Sequence, residues 1–272
     1  ERYQDCPFKF FAVNVLRLEE PLEDEPARSP RARGRFIHEV FQQFFNAWEA
    51  REGGTITIDR LDEARALVRS VAEPMLAGLP DADAALERAR LFGSAISTGI
   101  ADLVLELEAS RPDDVRGRWI EHELKGAFSL GASDGRQVAI SGVADRIDLL
   151  AGRRLRVFDY KSGYPPDLKR ALQVAVYALC AQEQLAARDG AAWAIDEAAY
   201  LAFAGKRAVV PVVRSGTPAP EADAVLAAAR ARLFEAVDGV ERGEFPPRPH
   251  ELRLCASCAF PSVCRKDYVG DE

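Results

Sequence analysis

The chain has 272 residues, a net charge of −7, and 48% hydrophobic and 29% charged side chains. This is a globular composition with enough length for a sizeable core. It excludes a disordered chain and a protein that coats nucleic acid by bulk charge alone.

No apolar run approaches the roughly 18 residues of a membrane span, and no signal segment opens the chain. The reading is therefore a soluble, cytoplasmic chain with no membrane partner. Position 1 is not Met and Met75 is the only methionine, so the chain reads as trimmed or as a piece of a longer polypeptide.

Residues 1–20 predict a helix carrying Phe8, Phe10 and Phe11, with Cys6-Pro7 near its start. Residues 21–33, rich in Pro, Glu and Arg, predict a surface loop. From Gly34 to about Ala50, Ile37, Val40, Phe41, Phe44, Phe45 and Trp48 recur every three or four residues, which predicts an amphipathic helix. His38 falls on it. Residues 59–110 predict further helices, broken near Gly78-Leu79-Pro80, as a helical cover or insertion.

Strands follow at 118–128, 137–149 and 154–161. A long helix is predicted over 167–188, a fourth strand over 198–203, a fifth over 208–213, and an amphipathic helix over 220–243. Strands mixed with helices predict an α/β fold in which a mixed central sheet is flanked by helices. One domain is expected: a helical region over 34–110, a core sheet over 115–215, and terminal segments 1–20 and 245–272.

Chemistry concentrates between Ser141 and Gly163. Two strands joined near Gly152 would fold Asp145 back toward Asp159. Side chains two apart on a strand share a face, so Asp159 and Lys161 point the same way. Two carboxylates and an ammonium at one spot would suit a divalent cation and phosphodiester hydrolysis. Asp148, at odd spacing from Asp145, falls on the opposite face and reads as structural. Five cysteines are an odd number for a disulfide framework. Cys255, Cys258 and Cys264 cluster near the end and Cys6 lies near the start, a set that reads better as metal or iron–sulfur ligands. Cys180 reads as a buried helix cysteine.

Gly34-x3-His38, Gly142-Val143-Ala144-Asp145-Arg146-Ile147-Asp148, Asp159-Tyr160-Lys161-Ser162-Gly163, Gln173-x3-Tyr177 and the four cysteines occur in that order. Together they resemble the PD-(D/E)XK nuclease superfamily, specifically the RecB/AddB-type nuclease domain with an iron–sulfur staple. The resemblance implies a restriction-endonuclease-like sheet and a metal-dependent DNA nuclease. That nuclease would be part of a helicase–nuclease for double-strand-break processing or a stand-alone exonuclease.

It further implies that His38, Asp145, Asp159 and the Tyr160 carbonyl hold Mg²⁺ or Mn²⁺, and that Lys161 acts on the attacking water or the phosphate. Gln173 and Tyr177 would frame the site and contact DNA. The family often places an acidic residue near the first strand. Glu123, slightly ahead of Glu121, is the candidate.

Cys6, Cys255, Cys258 and Cys264 would hold a [4Fe–4S] cluster that staples the termini, with Zn²⁺ as the rival occupant. Arg146, Lys169 and Arg170 are the candidate DNA contacts. An acidic chain should bind DNA weakly and salt-sensitively by itself, so a helicase domain or subunit would supply most of the grip. The alternative function is a catalytically inactive nuclease-like scaffold or DNA-binding module. The presence of Asp145, Asp159 and Lys161 together disfavours it. An electron-transfer enzyme ranks last, for want of a nucleotide-binding glycine motif.

Overall fold

The computed structural model describes residues 1–19, 30–51, 53–111, 113–204, 209–264 and 266. In chain order the helices are α1 (Arg2–Asp5), α2 (Pro7–Phe10), α3 (Pro30–Glu49), α4 (Leu61–Ala77), α5 (Asp81–Phe92) and α6 (Ile100–Ala109). The strands β1 (Val115–Phe128), β2 (Val138–Leu150) and β3 (Arg154–Lys161) follow. Then come α7 (Gln173–Asp189), β4 (Ala194–Ala202), β5 (Val209–Val213), α8 (Ala219–Glu241) and α9 (Arg253–Ala256). Among the described residues no helix is long and apolar enough to cross a membrane.

The chain divides into two compact units. One is Glu25–Pro165 with Val174–Leu226; the other is Glu1–Asp24 with Pro166–Gln173 and Ala227–Glu272. The first, the sheet unit, holds five strands in the order β1-β2-β3-β4-β5. β1, β2 and β3 are antiparallel neighbours; β3 and β4 run parallel across the α7 crossover; β5 returns antiparallel on β4. Sequence and structure agree on a mixed sheet flanked by helices. Only the pairing of β3 with β4 needs a long connection, as parallel strands do.

The aromatic stripe of α3 explains the cover on one face. Phe41, Phe44, Phe45 and Trp48 are wholly buried against Leu67 and Leu76 of α4, Val104 and Leu105 of α6, and Phe158 and Tyr160 of β3. At full burial each such side chain contributes about 1.5–3 kcal/mol. α7 covers the opposite face. Its Gln184 meets His122 of β1 at 3.0 Å, and the Glu183 carboxylate accepts the backbone N–H groups of Ser129 and Leu130 where β1 ends.

The second unit joins the chain's two ends. Phe8 N–H donates to the Pro246 carbonyl (3.2 Å) and His250 N–H to that of Asp5 (2.8 Å). Phe10 and Phe11 stack on Phe245. The single helix expected over 1–20 is instead two four-residue turns and a π turn over Phe11–Val15, because Cys6 is extended ahead of Pro7. Residues 21–29 of the expected loop lie outside the described residues, and helix α3 already begins at Pro30.

Candidate active site

Two turns set the site's register. The β1–β2 turn is centred on Ser133, and the partners Ile120↔Arg146 and His122↔Ala144 place Glu121 across from Asp145. The β2–β3 turn uses Gly152 at φ +74°, a conformation that favours glycine. The β2–β3 ladder stops at Arg146↔Phe158. Beyond it the Asp145 carboxylate takes the place of a strand carbonyl and accepts the Tyr160 N–H at 2.6 Å.

His38 of α3 completes the cluster. Its Nε2 lies 2.8 Å from the Tyr160 carbonyl, which can only accept, so Nε2 carries the hydrogen. Nδ1 is then turned toward Asp145 Oδ1 (3.4 Å) and Glu121 Oε1 (3.9 Å). One ligand atom from each of His38, Glu121 and Asp145 falls within 4.8 Å of the others. An imidazole held by a backbone carbonyl on its far nitrogen is the usual posture of a metal-ligating histidine. Glu121 reaches this position at φ +47°, a conformation that costs a non-glycine residue about 1–3 kcal/mol.

Asp159 is 2% exposed and pairs through Oδ2 with Lys161 Nζ at 2.7 Å. The electrostatics report crowded negative charge. Burial and the neighbouring Asp145 push Asp159 up to about 6, against the opposing pull of Lys161 and His38. Burial, then Asp145, also raise Glu121. Burial alone would lower His38, but the hydrogen bond and charge of Asp145 lift it to about 9. Such a site stabilises a cation, whether a proton on Nδ1 or a metal ion.

The structure brings together several of the residues named from sequence. Gly34 lies 3.4 Å, measured from an ideal Cβ, from Ser162 Oγ, so the turn before His38 rests against the segment after Lys161. A Cβ at Gly142 would meet Tyr177 Oη at 2.5 Å, which places the Tyr177 ring on β2 three residues from Asp145.

Other expectations are corrected. Glu123 is exposed, with Lys125 at 3.9 Å as its ion-pair partner; the acid that joins the cluster is Glu121, opposite Asp145. The Tyr160 carbonyl accepts the His38 Nε2–H, which uses one of its two lone pairs. Asp159 stands with Lys161 and is not one of the three clustered ligands.

Arg146 cannot be a DNA contact, because it is wholly buried. Its guanidinium binds Glu108 (2.6 Å), Asp148 (3.1 Å) and the Tyr160 hydroxyl (3.2 Å), and lies 4.5 Å from the Phe45 and Phe158 ring centres. Lys169, Arg170 and Gln173 belong to the second unit. There the Glu1 carboxylate accepts the Gln173 N–H at 2.9 Å.

All five cysteines are free. Cys6, Cys255, Cys258 and Cys264 lie in the second unit, in two segments distant in sequence. Burial raises the Cys6 thiol, backbone hydrogen bonds of Lys9 and Phe8 oppose this, and Cys264 and Cys258 add to it. The Cys6 thiol therefore senses two of the other three cysteines. Among the described residues, however, no three cysteine sulfurs lie within 4.8 Å of one another.

Comparison with known proteins adds the family. The description "PD-(D/E)XK nuclease superfamily" matches residues 1–265. The chain is 27% identical over 167 residues to an uncharacterized protein of Rickettsia felis, covering 60% of this chain and 18% of that protein. It is 29% identical over 157 residues to one subunit of an ATP-dependent helicase/deoxyribonuclease from Streptococcus equi subsp. zooepidemicus, covering 57% of this chain and 13% of that protein. The chain thus aligns with less than a fifth of the length of either relative.

Proposed function

Because the chain belongs to the PD-(D/E)XK nuclease superfamily, we propose that its sheet unit is a divalent-metal-dependent deoxyribonuclease acting at DNA ends beside a helicase domain or subunit. One observation carries this reading: His38 Nδ1, Glu121 and Asp145 gather within 4.8 Å, in a site that also includes the Asp159–Lys161 ion pair. The similarity to a helicase/deoxyribonuclease subunit supports the helicase partner.

The donor set of one imidazole and two carboxylates fits Mg²⁺ or Mn²⁺, with Asp159 available to complete it. When bound, the ion acidifies a coordinated water and offsets charge on the phosphate. The chain's own groups do the rest. The Nε2–H bond to the Tyr160 carbonyl fixes the imidazole so that Nδ1 faces the carboxylates. Lys161 Nζ, held by Asp159 Oδ2, supplies a directed positive charge for a phosphate oxygen and a donor for the attacking water. Tyr177 lines the approach beside Gly142.

Asp159→Ala and Lys161→Ala should each lower Mn²⁺- or Mg²⁺-dependent cleavage of linear DNA by at least about 100-fold, the scale of losing a directed electrostatic contact. Full activity in either variant would remove this mechanism. Faster attack on linear than on closed circular DNA is the expected sign of an exonuclease.

We also propose that the four cysteines hold a [4Fe–4S] cluster, for which the chain supplies the required four thiols in one unit. Anaerobically purified protein should then be brown and contain iron and sulfide. A colourless protein with stoichiometric zinc would replace the cluster with a zinc site.

A further inference from the structure

The second unit contains a pocket of about 500 Å³ that the proposed chemistry does not use. That is within the size range of small-ligand sites and large enough for one nucleotide unit. Five basic side chains line it, Lys169, Arg170, Arg232, Arg242 and Arg248, against two acids, Glu235 and Glu244. In a chain of net charge −7 this is a local reversal of sign.

The cations differ in how far they are already committed. Arg170 is bound by Asp5 and Asp167, and Arg242 by Glu244 at 2.7 Å. Arg232 meets carbonyl oxygens, those of Lys169 and Ala171, and among the described residues no carboxylate forms an ion pair with it. Its Nε is buried without an acceptor, as is Gln4 Oε1 without a donor. Lys169 is exposed and enters no ion pair among the described residues; Arg248 is exposed at the rim. A buried guanidinium N–H without a partner costs free energy that an incoming acceptor can recover.

We propose that this pocket binds phosphate groups of a DNA strand, anchoring the polymer at a point separate from the metal cluster. Phosphate is the indicated chemistry because guanidinium groups pair with it and carry no base information. A polymer is indicated because Lys169, Arg242 and Arg248 form an exposed rim, open to a chain that continues past the pocket. This inference deepens the nuclease reading and rests on it for the identity of the strand.

The test measures binding of labelled single-stranded oligonucleotides in EDTA, where no cleavage occurs, across a range of salt. The double variant Lys169→Ala/Arg248→Ala should bind two unrelated sequences more weakly to the same degree. Loss of two single-strand phosphate contacts should flatten the log–log salt slope by about 1.4. Arg248→Lys should keep the slope.

In the unsubstituted protein, bound oligonucleotide should slow acetylation of Lys169, which tests the contact without any substitution. An unchanged slope, or an unchanged acetylation rate, would overturn the proposal. So would inorganic phosphate or a mononucleotide protecting Lys169 while the oligonucleotide does not, since the pocket would then serve a small phosphate. Asp159→Ala separates the two readings. If it cleaves at the full rate, the active-site assignment falls and the slope still judges the pocket. If it is inactive and the slope is unchanged in the double variant, the pocket alone falls.

Discussion

Arginine does opposite work in the two units. Beneath the candidate site, Arg118, Arg146 and Arg156 are sealed from solvent and share Glu108 and Asp148. In the second unit, Arg242 and Arg248 stand in solvent around an open pocket. The first group fixes geometry: Arg146 holds the Tyr160 hydroxyl while Asp145 and His38 hold the Tyr160 peptide. In the second group, Arg242 pairs with Glu244 where water reaches both. What separates them is how many carboxylates each guanidinium meets and whether water reaches it. Residue type alone says nothing about which role an arginine takes.

The sharpest way to break this comparison is to remove a buried partner. Arg146→Ala should destabilise the protein by about 3–5 kcal/mol, because Glu108 and Asp148 keep their charge without a full set of partners. Urea denaturation measures it. Arg146→Met combined with Glu108→Leu should recover much of the loss, since an apolar pair of similar volume replaces the ions. A loss under about 1 kcal/mol in the single variant would mean that the network does not hold the site.

Much of this arrangement is legible in the sequence. The bounds of β3 are the same in sequence and structure, and the turn near Gly152 falls where the sequence places it. Counting twelve residues either side of Ser133 pairs Glu121 with Asp145, so register alone selects Glu121 over the preferred Glu123. Arg146 is misassigned when nearness in sequence is weighed above strand alternation, which turns it away from the Asp145 face. Its partner Glu108 comes from a distant helix, and no local signal announces that.

The late start of α7 is equally non-local. Asp167 caps the Lys169 N–H in a tight turn, and Glu1 accepts the Leu172 N–H at 2.7 Å. A carboxylate from the chain's beginning thus holds the Leu172 and Gln173 N–H groups, and pattern reading cannot supply that contact.

The next effect concerns His38, the titratable cation of the His38–Glu121–Asp145 group, in contrast to the permanent charge of the arginines. In metal-free protein, protonated His38 beside Asp145 stabilises the fold, because its folded value of about 9 lies above the ordinary 6.5. That contribution is fully present below about pH 6.5 and is lost as pH rises through about 9. Asp145→Asn should flatten this part of the stability–pH curve. Saturating Mn²⁺ should do the same, because the ion takes the place of the Nδ1 proton. A curve through pH 6.5–9 identical to that of His38→Gln would show that the imidazole does not carry the charge.

Packing beside the site gives a smaller change. Gly142→Ala drives a methyl against Tyr177 Oη and should cost about 1–3 kcal/mol, as overpacking does. Tyr177→Phe in the same chain should recover part of it, because the closest atom is gone while Cε1 and Cζ remain at 3.0 Å. Strict additivity of the two single changes would show that ring and backbone do not meet there.

The smallest effect falls on the exposed side of the comparison. Arg242 pairs with Glu244 two residues along the chain at 2.7 Å, but both side chains are more than half exposed. Water screens such a pair, and holding two long side chains in one geometry costs entropy. Arg242→Ala should therefore change urea stability by less than about 0.5 kcal/mol. What is left should vanish at 1 M salt, where the screening length is only about 3 Å. The contribution of Arg146 should persist at the same salt, because its partners share its burial. If Arg242→Ala instead destabilised the protein as strongly as Arg146→Ala, the exposed arginines would be structural as well. Lys169 and the uncompensated Arg232 would then be left to carry the pocket's positive charge.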